Sequence, residues 1–141
     1  MKSTTEITIR NYHVDYFGHV NHARFLELLE EARWCYLEEN GLIEPIHQFK
    51  AFHVVAGVVI DYRYQALMGD ILRIETVIDS RSSRSFRVNQ KAFIQASGRL
   101  AVEATITNVF VDDKGRSQKI SDDLLAHWPD LANAVQEGIA R

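Results

Sequence analysis

Residues 4 to 10, Thr-Thr-Glu-Ile-Thr-Ile-Arg, are rich in β-branched types and set apolar Ile7 and Ile9 between polar neighbours, which predicts a first strand. A polar and aromatic loop follows to about His19. From Asn21 to Glu39 the chain lacks Gly and Pro, is rich in Leu, Glu, Ala and Arg, and stops before Asn40-Gly41, a left-handed cap signal; this predicts one long helix. Its Phe25, Leu28, Leu29, Ala32, Cys35 and Tyr36 recur at three-and-four spacing, while Leu26, Trp34 and Leu37 widen the apolar surface beyond one stripe. Such a helix must be wrapped by other elements.

Four apolar runs with a period of two follow: Phe52 to Tyr64, Ile71 to Asp79, Phe86 to Gln95 and Leu100 to Asp112. In the second, Leu72, Ile74, Thr76 and Ile78 share a face; in the third, Phe86, Val88 and Ala92 face inward and Arg87, Asn89 and Lys91 outward. The joints at Met68-Gly69-Asp70, Ser80 to Ser85, Ser97-Gly98-Arg99 and Asp112 to Gly115 are short, which implies antiparallel neighbours. Ser121-Asp122-Asp123 then reads as an N-cap with acids in the first turn, opening a short helix, and past Pro129 a second helix is expected to Ile139. A long helix against a curved antiparallel sheet is an α+β domain.

With 141 residues the chain is of single-domain size, and no repeat or linker divides it, so residues 1–141 are expected to form one domain with a short helical extension from about 121. A hydrophobic share of 46 % and a charged share of 25 % exclude disordered and disulfide-framed classes. The single Cys35 has no partner for a disulfide or a zinc site, and neither a signal-like start nor a membrane-length apolar run is present, so a cytoplasmic protein is expected. A net charge of -3 argues against nucleic acid as the partner. One stretch departs from that balance: residues 80 to 102 hold Arg81, Arg84, Arg87, Lys91 and Arg99 and no acid.

The densest chemistry lies between the first strand and the long helix, in Tyr12-His13-Val14-Asp15-Tyr16-Phe17-Gly18-His19-Val20-Asn21-His22. The first turn of a helix carries backbone N–H groups without intrahelical acceptors and the positive end of the macrodipole, so a polarised carbonyl oxygen is stabilised there. Gly18 allows a ligand close to that backbone, and Asp15 is a carboxylate within reach to activate water. Asp15 also fits a plain turn residue that satisfies its own loop. His13, His19 and His22 with Asp15 are metal-ligand types, but they match no standard zinc spacing, and no metal or cofactor is expected.

Asp15 through Phe25 resembles the D-x-x-G-H-V-N-x-A-x-[YF] signature of hotdog-fold acyl-CoA thioesterases of the 4-hydroxybenzoyl-CoA thioesterase class. The longer run to Glu30-Glu31-Ala32-Arg33-Trp34 is similar to the bacterial long-chain acyl-CoA thioesterase III type, and Val54-Val55 to Tyr62-Arg63-Tyr64 with Gly69-Asp70 resemble the family's second strand and following turn. The resemblance implies a hotdog fold, a long helix wrapped by a five- to six-stranded antiparallel sheet, joined through that sheet into a homodimer or homotetramer. It implies hydrolysis of an acyl-CoA, with Asp15 as the catalytic carboxylate, either base or nucleophile, and the backbone of Gly18, His19, Val20 and Asn21 as holder of the thioester carbonyl. His22 stands where a second Asn is common, and Phe25 where Tyr is common, so no hydroxyl role carries over there.

With a CoA substrate in view, Arg84, Arg87 and Lys91 become candidate phosphate contacts, and Phe25, Leu28, Leu29, Trp34, Val54, Val58 and Ile60 candidate walls for a medium- to long-chain acyl group. Gly57 suggests a close backbone approach within the second strand. Two rival functions use the same residues: a hydratase or dehydratase pairing an Asp with His13 or His19, and a non-catalytic acyl-CoA binding module.

Overall fold

The structure, a computed structural model, describes residues 3–137. The sheet consists of β1 (Ser3–Thr8), β2 (His53–Tyr62), β3 (Ile71–Arg81), β4 (Ser85–Ile94) and β5 (Leu100–Phe110), ordered β1-β3-β4-β5-β2 with every neighbour antiparallel. A sixth strand, β6 (Val135–Gln136), runs parallel to β3 at Ser80 and Arg81. Against the sheet lies α1 (His22–Glu39), and smaller helices α2 (Ile43–Gln48), α3 (Asp122–His127) and α4 (Pro129–Ala132) close one end. This is the helix-and-wrapped-sheet α+β architecture that the pattern predicts.

The boundaries follow local chemistry. Asn21 caps α1, its side chain accepting from the Ala23 amide at 2.9 Å, and Gly41 leaves the helix with φ 64°. Of the predicted stripe, Phe25, Leu28, Leu29, Ala32 and Tyr36 pack inside, against Leu72, Ile74 and Ile78 of β3 and Phe86, Val88 and Ala92 of β4, whereas Cys35 stays only part-buried. Leu26 and Trp34, which widen the apolar surface of α1, stay exposed.

Three features differ from the sequence reading. Residues 43–48 form α2, a helix too short for a hydrophobic period and containing Pro45, which reads as a breaker. The second C-terminal helix ends at Ala132 and does not run to Ile139: the chain turns at Asn133 and enters β6, a pairing made by tertiary contact that composition does not signal, and its last predicted residues lie outside the described ones. Trp128 is no simple helix end. It is fully buried, donates its indole N–H to the Tyr36 hydroxyl at 2.9 Å, and that hydroxyl donates to Asp130 at 2.7 Å, so the C-terminal helices are pinned to α1.

β2 is one of the two edge strands of the β1-β3-β4-β5-β2 order and is left bare. Val54, Val55, Val58, Val59 and Tyr62 are all exposed, Val59 to 70 %, and the register with β5 shifts between Val55 and Gly57.

Candidate active site

The turn before α1 closes on itself. Val14 and Val20 form an antiparallel bridge, the Asp15 amide donates to the His19 carbonyl at 2.8 Å, and the Gly18 amide donates back to the Asp15 carbonyl at 3.0 Å. Gly18 takes φ 80°, which an L side chain adopts only at a cost, and nothing lies within 4 Å of where its Cβ would be. The glycine therefore serves the turn and also leaves one side of it open. The half-buried Asp15 directs Oδ1 at the amides of Phe17 (2.9 Å) and His19 (3.3 Å). Its Oδ2 has no partner among the described residues. The turn thus uses one oxygen of the carboxylate and leaves the other available.

The backbone amides expected to hold a carbonyl are mostly occupied. Those of Gly18 and His19 donate to Asp15, that of Val20 to the Ala66 carbonyl at 2.8 Å and that of Asn21 to the His13 carbonyl at 3.0 Å. One residue further on, at the first position of α1, the His22 amide has no acceptor among the described residues. This is where the unsatisfied donors and positive dipole end of a helix reside. The sequence reading stops at Asn21, and His22 is visible there only as the first position after that cap, because a free backbone amide leaves no signal in side-chain type.

The surrounding side chains fix this geometry. Tyr62 of β2 donates its hydroxyl to the His22 carbonyl at 2.8 Å, and its ring meets Phe25 edge-on at 5.9 Å. The Nδ1 of His13 accepts from the Arg10 amide at 2.8 Å; burial first and then Arg24 hold this imidazole below its ordinary range. His13 is thereby committed to the turn. Among the described residues no three His, Cys, Asp or Glu side chains converge in a way that could hold a metal ion.

The basic stretch is more self-compensated than its sequence suggests. Arg87 pairs with Glu137, which also accepts from Ser80, and Lys91 lies 3.9 Å from Glu103. Arg84 has no carboxylate partner among the described residues: its Nη1 donates to the carbonyl and hydroxyl of Ser117 at 3.1 and 3.3 Å. Of the candidate acyl walls, Phe25, Leu28 and Leu29 are buried core, whereas Trp34 is half exposed. Trp34 stands on a cleft of about 340 Å³ between the second half of α1, α2 and the start of β2, with Leu37, Ile46, Phe52 and Val55.

Residues 9–130 match the family described as the Thioesterase-like superfamily. The long-chain acyl-CoA thioesterase FadM of Escherichia coli (strain K12) is 36 % identical over 110 residues, covering 78 % of this chain and 83 % of that protein. The crystal structure of YbaW from Escherichia coli superposes with a TM-score of 0.82 at 30 % identity, covering 91 % of this chain and 97 % of that one. Slr0204 from Synechocystis, a 1,4-dihydroxy-2-naphthoyl-CoA thioesterase, shares the fold at a TM-score of 0.81 and 20 % identity, covering 94 % of this chain and 99 % of that one.

Proposed function

The chain belongs to the thioesterase-like superfamily and is an acyl-CoA thioesterase, and we propose that Asp15 and the His22 amide carry its chemistry. One observation supports this reading above the others: Asp15 has one oxygen fixed by the Phe17 and His19 amides and the other unpartnered, beside a helix whose first N–H has no acceptor. An anchored carboxylate with a spare oxygen is a base or a nucleophile, and an unsatisfied amide at the positive end of a helix receives an oxyanion.

The thioester carbonyl oxygen accepts from the His22 amide, which polarises the C=O bond. As base, Asp15 Oδ2 takes a proton from water while the hydroxide adds to the carbonyl carbon. The tetrahedral adduct then collapses, breaking the C–S bond, and CoA leaves as thiolate to be protonated by solvent. As nucleophile, the same oxygen adds to the carbon and expels the thiolate, and water then hydrolyses the mixed anhydride. Label found in Asp15 after a single turnover in heavy-oxygen water identifies the second route with water attacking the Asp15 carboxyl carbon, whereas attack at the acyl carbon places the label in the fatty acid, as the base route does, and is told apart by trapping the acyl group on Asp15.

The substrate we assign is a medium- to long-chain acyl-CoA, supported by the long-chain activity named for FadM and by the apolar cleft walls. The exposed β2 edge supports a homodimer made by pairing two such edges, with a homotetramer as the next assembly. Arg84 is the CoA-phosphate contact best supported by its lack of an ion pair, with Arg87 and Lys91 contributing less. Among the described residues no helix is long and apolar enough to cross a membrane, and with one cysteine and no disulfide partner for it, the cytoplasm is the proposed compartment.

The test is Asp15→Asn. The amide side chain keeps an acceptor for Phe17 and His19, so the turn persists, while palmitoyl-CoA hydrolysis followed by thiol release falls about 10²-fold or more. Wild-type turnover by this variant would exclude the mechanism.

A further inference from the structure

The cleft beside Trp34 is apolar on its walls and polar at its inner end. Arg33, Leu37, His53 and Asn108 line both this cleft and a smaller void of about 40 Å³ behind it, whereas Glu30 and Trp34 line only the outer space. Arg33 is mostly withdrawn from solvent, and burial is the first cause holding its guanidinium below the usual arginine range. Its Nη1 donates to the Gln90 side-chain carbonyl at 2.9 Å, and Gln90 is itself held by donating to the Leu29 carbonyl and the Thr76 hydroxyl. No carboxylate lies within ion-pair distance of Arg33 among the described residues, and its remaining N–H groups have no acceptor. Glu30, one turn earlier, is exposed and accepts from the Trp34 indole at 3.3 Å.

His53 adds a second unsatisfied group. Its ring sits among Phe86 (5.2 Å), Phe110 (5.6 Å) and Trp128 (6.4 Å), and its buried Nδ1 makes no hydrogen bond. A buried imidazole nitrogen without a partner costs stability unless something else satisfies it, and Arg33, half-buried, bonded to Gln90 and only partly offset by the Glu30 charge, keeps N–H groups open to the cleft. A plain alkyl chain pushed into this space would strip water from Arg33 and return nothing.

The position suits the far end of an acyl group. Arg33 lies eleven residues beyond His22, which at 1.5 Å per residue is about 16 Å along α1. β2 spans the same interval, with Tyr62 bonded at the start of the helix and His53 at the cleft.

We propose that this inner end of the cleft recognises an oxygen acceptor at the end of the acyl group remote from the thioester, in the first place an ω-carboxylate held by Arg33, so that the preferred substrates are ω-carboxyacyl-CoAs rather than unsubstituted ones. A guanidinium matches a carboxylate with two parallel hydrogen bonds, and Gln90 holds the fork in place for it. Arg33 is then a specificity-determining residue. The proposal rests on the reading of the chain as an acyl-CoA hydrolase that binds its acyl group along α1.

The experiment uses two pairs of CoA derivatives matched in length, dodecanoyl-CoA with its ω-carboxyl counterpart, as thioesters for turnover and as non-hydrolysable thioethers for calorimetric binding. In the wild-type protein the ω-carboxyl thioether binds about tenfold more tightly than the dodecyl one, and kcat/KM follows the same order. In Arg33→Gln that ratio falls to one or below, and in Arg33→Lys, which keeps the charge without the fork, it falls by less. The ratio within each variant is the readout, because partial misfolding scales both ligands together. Equal binding of both thioethers by the wild type, or a ratio that Arg33→Gln leaves unchanged, overturns the proposal even if both thioesters are hydrolysed. Failure to hydrolyse either thioester instead counts against the hydrolase reading, while the thioether ratio still decides the role of Arg33.

Discussion

The Tyr62 hydroxyl donates to the His22 carbonyl at 2.8 Å, tying the exposed edge strand β2 to the first residue of α1. The same residue carries the unsatisfied amide proposed to hold the thioester carbonyl, so a single hydrogen bond links the edge strand to that residue. Tyr62→Phe keeps the ring against Phe25 and removes only this tether. The variant is expected to keep its melting temperature within a few degrees and to lose about 3- to 10-fold in kcat, the scale of one neutral hydrogen bond. Steady-state kinetics on palmitoyl-CoA check it.

Val59, 70 % exposed in the middle of β2, is where two such edges would meet. Val59→Asp places a charge there, and like charges facing each other across a strand pair are unfavourable. Analytical ultracentrifugation is expected to find an oligomer for the wild type and a monomer for the variant at the same micromolar concentration. A variant that remains fully oligomeric would move the interface elsewhere.

His53 makes stability depend on pH. Burial is the largest cause lowering its pKa, the Ala51 backbone opposes, and the Arg33 guanidinium adds to the lowering. The folded protein therefore resists protonating this ring, while the unfolded chain takes up the proton near its ordinary value of about 6.5. Stability contributed by the neutral ring is complete above that value and declines as the pH falls below it. Urea denaturation between about pH 7.5 and 5 is expected to show a steeper acid loss for the wild type than for His53→Phe.

Arg84 and Arg87 separate by their partners. Arg84→Glu breaks contacts to Ser117 alone and is expected to raise KM for acyl-CoA several-fold, with the difference shrinking as salt is added. Arg87→Glu sets a carboxylate beside Glu137 and is expected to lower stability by about 1 kcal/mol with less effect on KM. Michaelis constants at two ionic strengths, together with melting curves, distinguish the two.

The fold was readable because its largest elements repeat a simple period. The three-and-four spacing from Phe25 to Tyr36 and the alternation from Leu72 to Ile78 are the buried faces of α1 and β3. The turn before α1 was readable as a turn too, since Asp15, Gly18 and Asn21 are short-range conformational signals. Residues satisfied by distant partners were not. Gln90 stands between Val88 and Ala92 with nothing nearby to mark it as buried, and Arg33, 57 residues away, has the look of a solvated helix charge. Trp128 meets Tyr36 across 92 residues. The basic stretch is acid-free along the chain, yet Glu103 and Glu137 approach it through the sheet and the C-terminal tail.

The turn that carries Asp15 is a finished structure before any thioester arrives: four consecutive amides, Gly18 to Asn21, already have acceptors. If the thioester binds at this turn as proposed, few dipoles are left to swing when negative charge builds on the carbonyl oxygen, and the environmental rearrangement accompanying bond making is small. An apparatus of that kind is sensitive to displacement more than to dilution of its charges, and errors of placement, introduced even by a distant packing change, weigh more heavily on rate than on affinity.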